Sequence, residues 1–143
     1  MNARVISAAL TALSALALQA SAQNLLLNGG FEEGEAYTIG APNWDTFNAA
    51  FTDDDFFRSG EKALKMFGPF FVGGGAGGTQ TGAGTPGEAY TLTGYVFSPA
   101  TDFIQGSNFA LMQLEFLDAS SNVSGSAGQQ FNNTSTPNTW TQL

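Results

Sequence analysis

The chain has 143 residues, 12 acidic against 4 basic, no His and no Cys, and a formal net charge of −8. Without Cys there is no disulfide scaffold, thiolate metal site or thiol nucleophile, and without His no Ser-His-Asp triad or imidazole ligand. The acidic excess excludes a nucleic-acid partner, which needs clustered Lys and Arg, and argues equally against an anionic membrane surface.

At the N-terminus Arg4 precedes the uncharged, Ala- and Leu-rich run 5–18, and Ala20-Ser21-Ala22 follows as a small-x-small cleavage pattern. As a helix this run measures roughly 21 Å, short of a hydrocarbon core of about 30 Å. Residues 1–22 are therefore expected to be a secretory signal peptide and residues 23–143 the exported domain. No later stretch is expected to insert into a membrane. An exported domain without Cys must be held by its core, or by a metal, rather than by disulfides.

Short β segments separated by Gly, Asn, Pro and Asp follow. The apolar run 24–27 stops at Asn28-Gly29-Gly30, and Phe31-Glu32 opens a second extended piece. Residues 63–67 form a strand after the turn Ser59-Gly60, and the glycine-rich stretch 73–84 is a loop crossed by a weak strand at Thr79-Gln80-Thr81. Residues 90–97 alternate, with Leu92 and Val96 on one face and Thr91, Thr93, Tyr95 and Phe97 on the other.

Residues 109–117 contain helix-favouring Leu, Met, Gln and Glu. Geometry nevertheless selects a strand: Gln113 and Glu115 would lie about 200° apart around a helix, whereas in a strand they share one face. Ala110, Met112, Leu114 and Phe116 then form the opposite, apolar face, and residues 118–122 form a turn. Residues 139–143 open one more strand, so further strands are expected beyond Leu143. The expected class is all-β, an antiparallel β-sandwich whose last strands lie outside this sequence.

Read together, these pieces resemble a family. Asn24-Leu-Leu-Leu-Asn-Gly-Gly-Phe-Glu32, Pro42-Asn43-Trp44, Ser59-Gly60-Glu-Lys-Ala63-Leu64, residues 90–96, residues 110–118 and residues 139–143 occur in the order found in carbohydrate-binding modules of families 4, 9 and 22. The resemblance implies a jelly roll of the galactose-binding-domain type. It also implies a structural calcium held by the Glu32 carboxylate and the Gly30 carbonyl on one side and by carbonyls of the turn from Ser59 to Lys62 on the other. The family's two closing strands and C-terminal acidic pair are not in this sequence.

Sugar binding rests on aromatic platforms for C–H faces and on planar amides or carboxylates for hydroxyls. The candidates are Tyr95 beside Thr91 and Thr93, the pair Gln113 and Glu115, and Trp44 closing one end of the sandwich. Phe97, Phe109 and Trp140 are assigned to the core. Asp53-Asp54-Asp55 lacks EF-hand spacing and reads as a solvated loop. Sequon-like triplets begin at Asn122 and Asn132.

No catalytic motif or phosphate loop is recognisable, so no catalytic residue is expected. The function expected is a secreted, non-catalytic module for an extracellular polysaccharide or glycan. The alternatives are a cell-surface or matrix structural module without a sugar site, and the accessory part of a longer secreted glycoside hydrolase, with a catalytic or anchoring domain downstream.

Overall fold

The structure, a computed structural model, describes residues 23–68 and 73–143. The expected signal peptide lies outside the described residues. Among the described residues eight strands carry the fold: β1 (Asp45–Phe47), β2 (Ala49–Asp53), β3 (Ala63–Phe67), β4 (Gly77–Thr79), β5 (Tyr95–Val96), β6 (Phe109–Leu117), β7 (Val123–Asn132) and β8 (Thr141–Gln142). A 3-10 turn, Ala100–Asp102, lies between β5 and β6. The class is all-β, as the alternating sequence demands. No helix among the described residues is long and apolar enough to cross a membrane.

The strands form four antiparallel pairs, β1 with β4, β2 with β3, β5 with β8 and β6 with β7. These ladders are separate from one another and do not by themselves draw a jelly roll. The longest is the hairpin of β6 and β7, from Phe109↔Asn132 to Leu117↔Val123, with an irregularity between Phe116 and Leu117. Its turn is fixed chemically. Asp118 Oδ1 accepts the backbone N–H groups of Ser120 at 2.8 Å and Asn122 at 2.9 Å, while Ser121 takes φ 64°. An aspartate that caps its own turn in this way sets the hairpin register.

Little apolar surface is fully enclosed: among the described residues the buried hydrophobic side chains are Ala41, Ala50 and Phe131. Phe131 meets Phe103 edge-on with ring centres 6.1 Å apart. A second apolar group is a row of rings, Phe56 on Phe97 at 5.1 Å and Phe97 on Trp140 at 5.2 Å. This row ties the loop after β2 to β5 and to the entry of β8.

Several expectations change. The strand expected over residues 90–97 forms a ladder only at Tyr95–Val96, continued by the mutual backbone bonds of Gly94 and Leu143. Alternation alone does not make a strand; a partner must supply the ladder. The weak strand placed at residues 79–81 sits instead at Gly77–Thr79, where it pairs with β1. Phe31 adopts φ 60° inside a turn rather than opening an extended piece. Residues 24–27 form no strand, because a side chain takes the place of a neighbouring strand. The Gln80 amide accepts from Leu27 N at 2.8 Å and donates to Leu27 O at 3.0 Å.

Phe109 is 52 % exposed rather than part of the core. It lies on the same side of β6 as Gln113 and Glu115, the face turned to solvent. The acidic run is also not simply a solvated loop. Asp53 closes β2 and is only 2 % exposed, with Lys65 Nζ 3.2 Å from its Oδ2. Register explains the contact. Lys65 pairs with Phe51 across the ladder, which makes Asp53 its diagonal neighbour on the same face.

Candidate functional site

The exposed face of the β6–β7 hairpin is built by period-2 alternation. Leu111, Gln113 and Glu115 point to one side, and their cross-strand partners Gln130, Gly128 and Ser126 share it. Gln113 Nε2 donates to Glu115 Oε1 at 3.1 Å, so the amide and the carboxylate are held next to each other. Gly128 keeps the strip low: a Cβ there would stand 3.0 Å from the Met112 carbonyl and 3.2 Å from Leu111 Cδ1. Chemically the strip offers an amide, a carboxylate and a second amide from Gln130, bordered by the exposed Leu111 and Phe109. Planar acceptors and donors next to a flat apolar surface suit a polyhydroxylated ring.

Tyr95 lies elsewhere. It is 38 % exposed, its hydroxyl donates to Gln142 Oε1 at 3.1 Å, and the Arg58 guanidinium covers one face of its ring at 3.6 Å from the centroid. Trp44 has its own set of contacts. Its Nε1 donates to the Asn28 carbonyl at 3.1 Å, and its ring leans on Phe31 at 5.0 Å. Its free side borders a cleft of about 310 Å³ shared with Glu35, Thr38, Ile39, Pro42 and Thr52. Among the described residues no hydrogen bond or ring contact joins Trp44 or Tyr95 to Gln113 or Glu115. Of the four sugar-binding candidates, only Gln113 and Glu115 are in direct contact with each other.

The residues named for calcium do come together. The Glu32 carboxylate accepts the backbone N–H of Glu61 at 2.9 Å, and it packs so closely on Gly60 that no Cβ fits there. Gly30 lies alongside, the site of its missing Cβ 3.6 Å from Glu32 Cγ. Ser59 is exposed at the start of the turn. The cation at this corner is the Lys62 ammonium, which donates to the carbonyls of Glu32 at 3.0 Å and Gly34 at 2.7 Å. Hard oxygens suit Ca²⁺ in kind, and the carbonyls that hold Lys62 lie outside that ligand set, so what opposes a cation here is the ammonium charge beside it.

A second group of oxygens surrounds Lys65. Carboxylate oxygens of Asp53, Asp54 and Asp55 lie within 4.8 Å of one another, and Lys65 bonds Asp53 at 3.2 Å and Asp55 at 3.1 Å. Tyr37 donates to Asp55 Oδ1 at 2.9 Å. The acids raise the Tyr37 hydroxyl pKa, chiefly through hydrogen bonds to Asp54 and then Asp55. Asp55 is lowered, first by Lys65 and then by Tyr37. Partial burial pulls Lys65 down, yet its bonds to Asp55 and Asp53 outweigh that, and its pKa is raised. Asp53 Oδ1 is buried without a hydrogen-bond partner among the described residues.

Sequence reasoning missed Gln130, Leu111 and Arg58. Leu111 carries a signal, since it is two residues from Gln113 on an alternating strand; Gln130 lies on β7, whose sequence does not announce a strand, and Arg58 carries no signal beyond its scarcity. Comparison with known proteins adds no relative: no family model matches the chain, and neither a curated protein nor a solved structure matches it.

Proposed function

We propose that this chain is a secreted, non-catalytic carbohydrate-binding domain that recognises an extracellular polysaccharide or glycan. The observation that supports it best is the exposed hairpin face, where Gln113 and Glu115 are hydrogen-bonded to each other beside Leu111 and opposite the low Gly128. Binding would combine hydrogen bonds from these planar groups with packing of C–H faces on Phe109 and Leu111. Tyr95 and the Trp44 cleft are separate contact points for a longer chain. No reaction is assigned to the domain.

A structural calcium belongs to the same reading. It would use the Glu32 carboxylate with carbonyls of Gly30 and of the turn from Ser59 to Lys62, beside the Lys62 ammonium on the Glu32 and Gly34 carbonyls. Affinity electrophoresis of the full chain against xylan, β-glucan, cellulose and alginate tests the function. Retardation by at least one polysaccharide is expected. A folded protein that none of them retards would overturn it and favour a structural module.

A further inference from the structure

Basic groups are scarce in this chain, so their use is informative. Three of the four cations lie among the described residues: Arg58, Lys62 and Lys65. Lys62 is held by two backbone carbonyls, and Lys65 by Asp53 and Asp55. Both are structural. Arg58 makes no ion pair or hydrogen bond among the described residues, although the chain carries a net charge of −8. Its Cζ instead lies 3.6 Å from the Tyr95 ring centroid.

That position is built from both sides. The loop after β2 runs along β5, with Phe56 stacked on Phe97 and Arg58 on Tyr95, two residues apart on each segment. Tyr95 is itself fixed through its hydroxyl to Gln142, its ladder partner in β8. A guanidinium lying over a ring satisfies its π face and keeps its N–H donors, which cannot deprotonate, for other partners, and among the described residues those of Arg58 meet no acceptor. Two parallel N–H groups in a plane match the two oxygens of a carboxylate. The long-range field of an acidic domain disfavours anions, but screening confines that repulsion to about 8 Å at physiological ionic strength.

We infer that Arg58, stacked on Tyr95, is the subsite for an anionic substituent of the bound glycan, the carboxylate of a uronic-acid residue. This rests on the carbohydrate-binding reading and names its ligand class. It makes Tyr95 a support for the guanidinium rather than a bare stacking platform.

The test is isothermal titration of the full chain with oligogalacturonate, with a sulfated oligogalactan, and with neutral xylo- and gluco-oligosaccharides of equal length. The uronate is expected to bind about tenfold or more tighter than the neutral series, as a charge-assisted bidentate contact allows. In Arg58→Gln that preference should disappear, and Arg58→Lys should recover only part of it, since lysine keeps the charge without the fork. Circular dichroism checks folding, and Arg58→Lys carries the test if Arg58→Gln does not fold. Neutral sugars binding as well as uronate, or a uronate preference that survives in both variants, overturns this inference and leaves the proposed function standing. A preference for the sulfated series lost with Arg58 overturns the carboxylate assignment. Binding of no series overturns both readings.

Discussion

The Lys62 ammonium donates to the Glu32 backbone carbonyl at 3.0 Å, placing a fixed positive charge on the corner where the family resemblance calls for calcium. Calcium would take the Glu32 carboxylate and the carbonyls of Gly30 and of residues 59–62, so the ammonium, held by the Glu32 and Gly34 carbonyls, opposes it by charge repulsion rather than by sharing ligands. If calcium braces this corner, chelator lowers the melting temperature of the full chain by about 5 °C or more, as loss of a ligand bound well above its Kd requires. Lys62→Met removes the neighbouring positive charge, so it should enlarge that shift. Equal midpoints with and without chelator in both proteins would remove calcium from the proposal.

Gly60 offers a sharper probe of the same corner. It sits at φ +74°, and a Cβ there would collide with the Glu32 carboxylate. Gly60→Ala therefore pays for a left-handed backbone and also pushes Glu32 off the Glu61 N–H. The expected loss is about 1–2 kcal/mol in chemical denaturation. An alanine variant as stable as the parent would mean that this turn does not hold Glu32 in solution.

Lys65 is the partner that makes a buried Asp53 tolerable. The ammonium is 29 % exposed whereas the carboxylate is 2 % exposed, so deleting Lys65 strands a charge that water reaches poorly. Lys65→Met should cost about 3 kcal/mol, the lower end for breaking a buried pair. Adding Asp53→Asn should recover part of that loss, because the stranded charge is gone. A double variant weaker than Lys65→Met alone would show that the pair is not what stabilises the ladder of β2 and β3.

Alternation makes a strand legible only where a partner completes the ladder, since residues 90–97 alternate as well and pair only at Tyr95–Val96. Phe109–Leu117 was bounded correctly because Gln113 and Glu115 can share a face only in a strand, and Ala63–Phe67 because a Ser-Gly turn precedes it. β7 was illegible. Its Ser-, Gly- and Gln-rich sequence has little strand preference, and it is a strand because β6 presents a complete ladder to it. β1 and β2 were hidden by Asn48, whose φ of 55° turns the chain between them. At the candidate site, Gln113 and Glu115 were visible as an alternating pair. The cover of Arg58 on Tyr95 was not, since it depends on where a loop lies in space.

The hairpin turn should be acid-sensitive. The backbone N–H of Asn122, its side-chain amide and the backbone N–H of Ser120 all favour the ionised Asp118, whose pKa is lowered. A carboxylate lowered on folding contributes stability that is fully present above its unfolded value, about 3.9, and is lost as pH falls through the lower folded value. Asp55 is lowered too and acts in the same direction. The melting temperature should thus fall as pH drops below about 4, and Asp118→Asn should flatten part of that fall while lowering the plateau near neutral pH. Parallel profiles for parent and variant would show that the turn does not depend on the charge.

The hairpin face itself is best tested by separating binding from folding. Gln113 and Glu115 are exposed, so truncating either removes no core contact, and melting temperatures should stay within about 1 °C of the parent. On the carbohydrate-binding reading, Gln113→Ala and Glu115→Ala each weaken binding to the retarding polysaccharide about tenfold, the scale of one or two lost hydrogen bonds. The two effects should not add, because Gln113 Nε2 already bonds Glu115 Oε1 and each residue orients the other. Gly128→Val supplies an independent check. It raises a side chain from the floor of the strip directly opposite Gln113, and it should block a sugar ring even with both polar groups intact. Affinity that survives all three substitutions in folded protein would move the binding surface off this hairpin, to the Trp44 cleft or to the Arg58–Tyr95 stack.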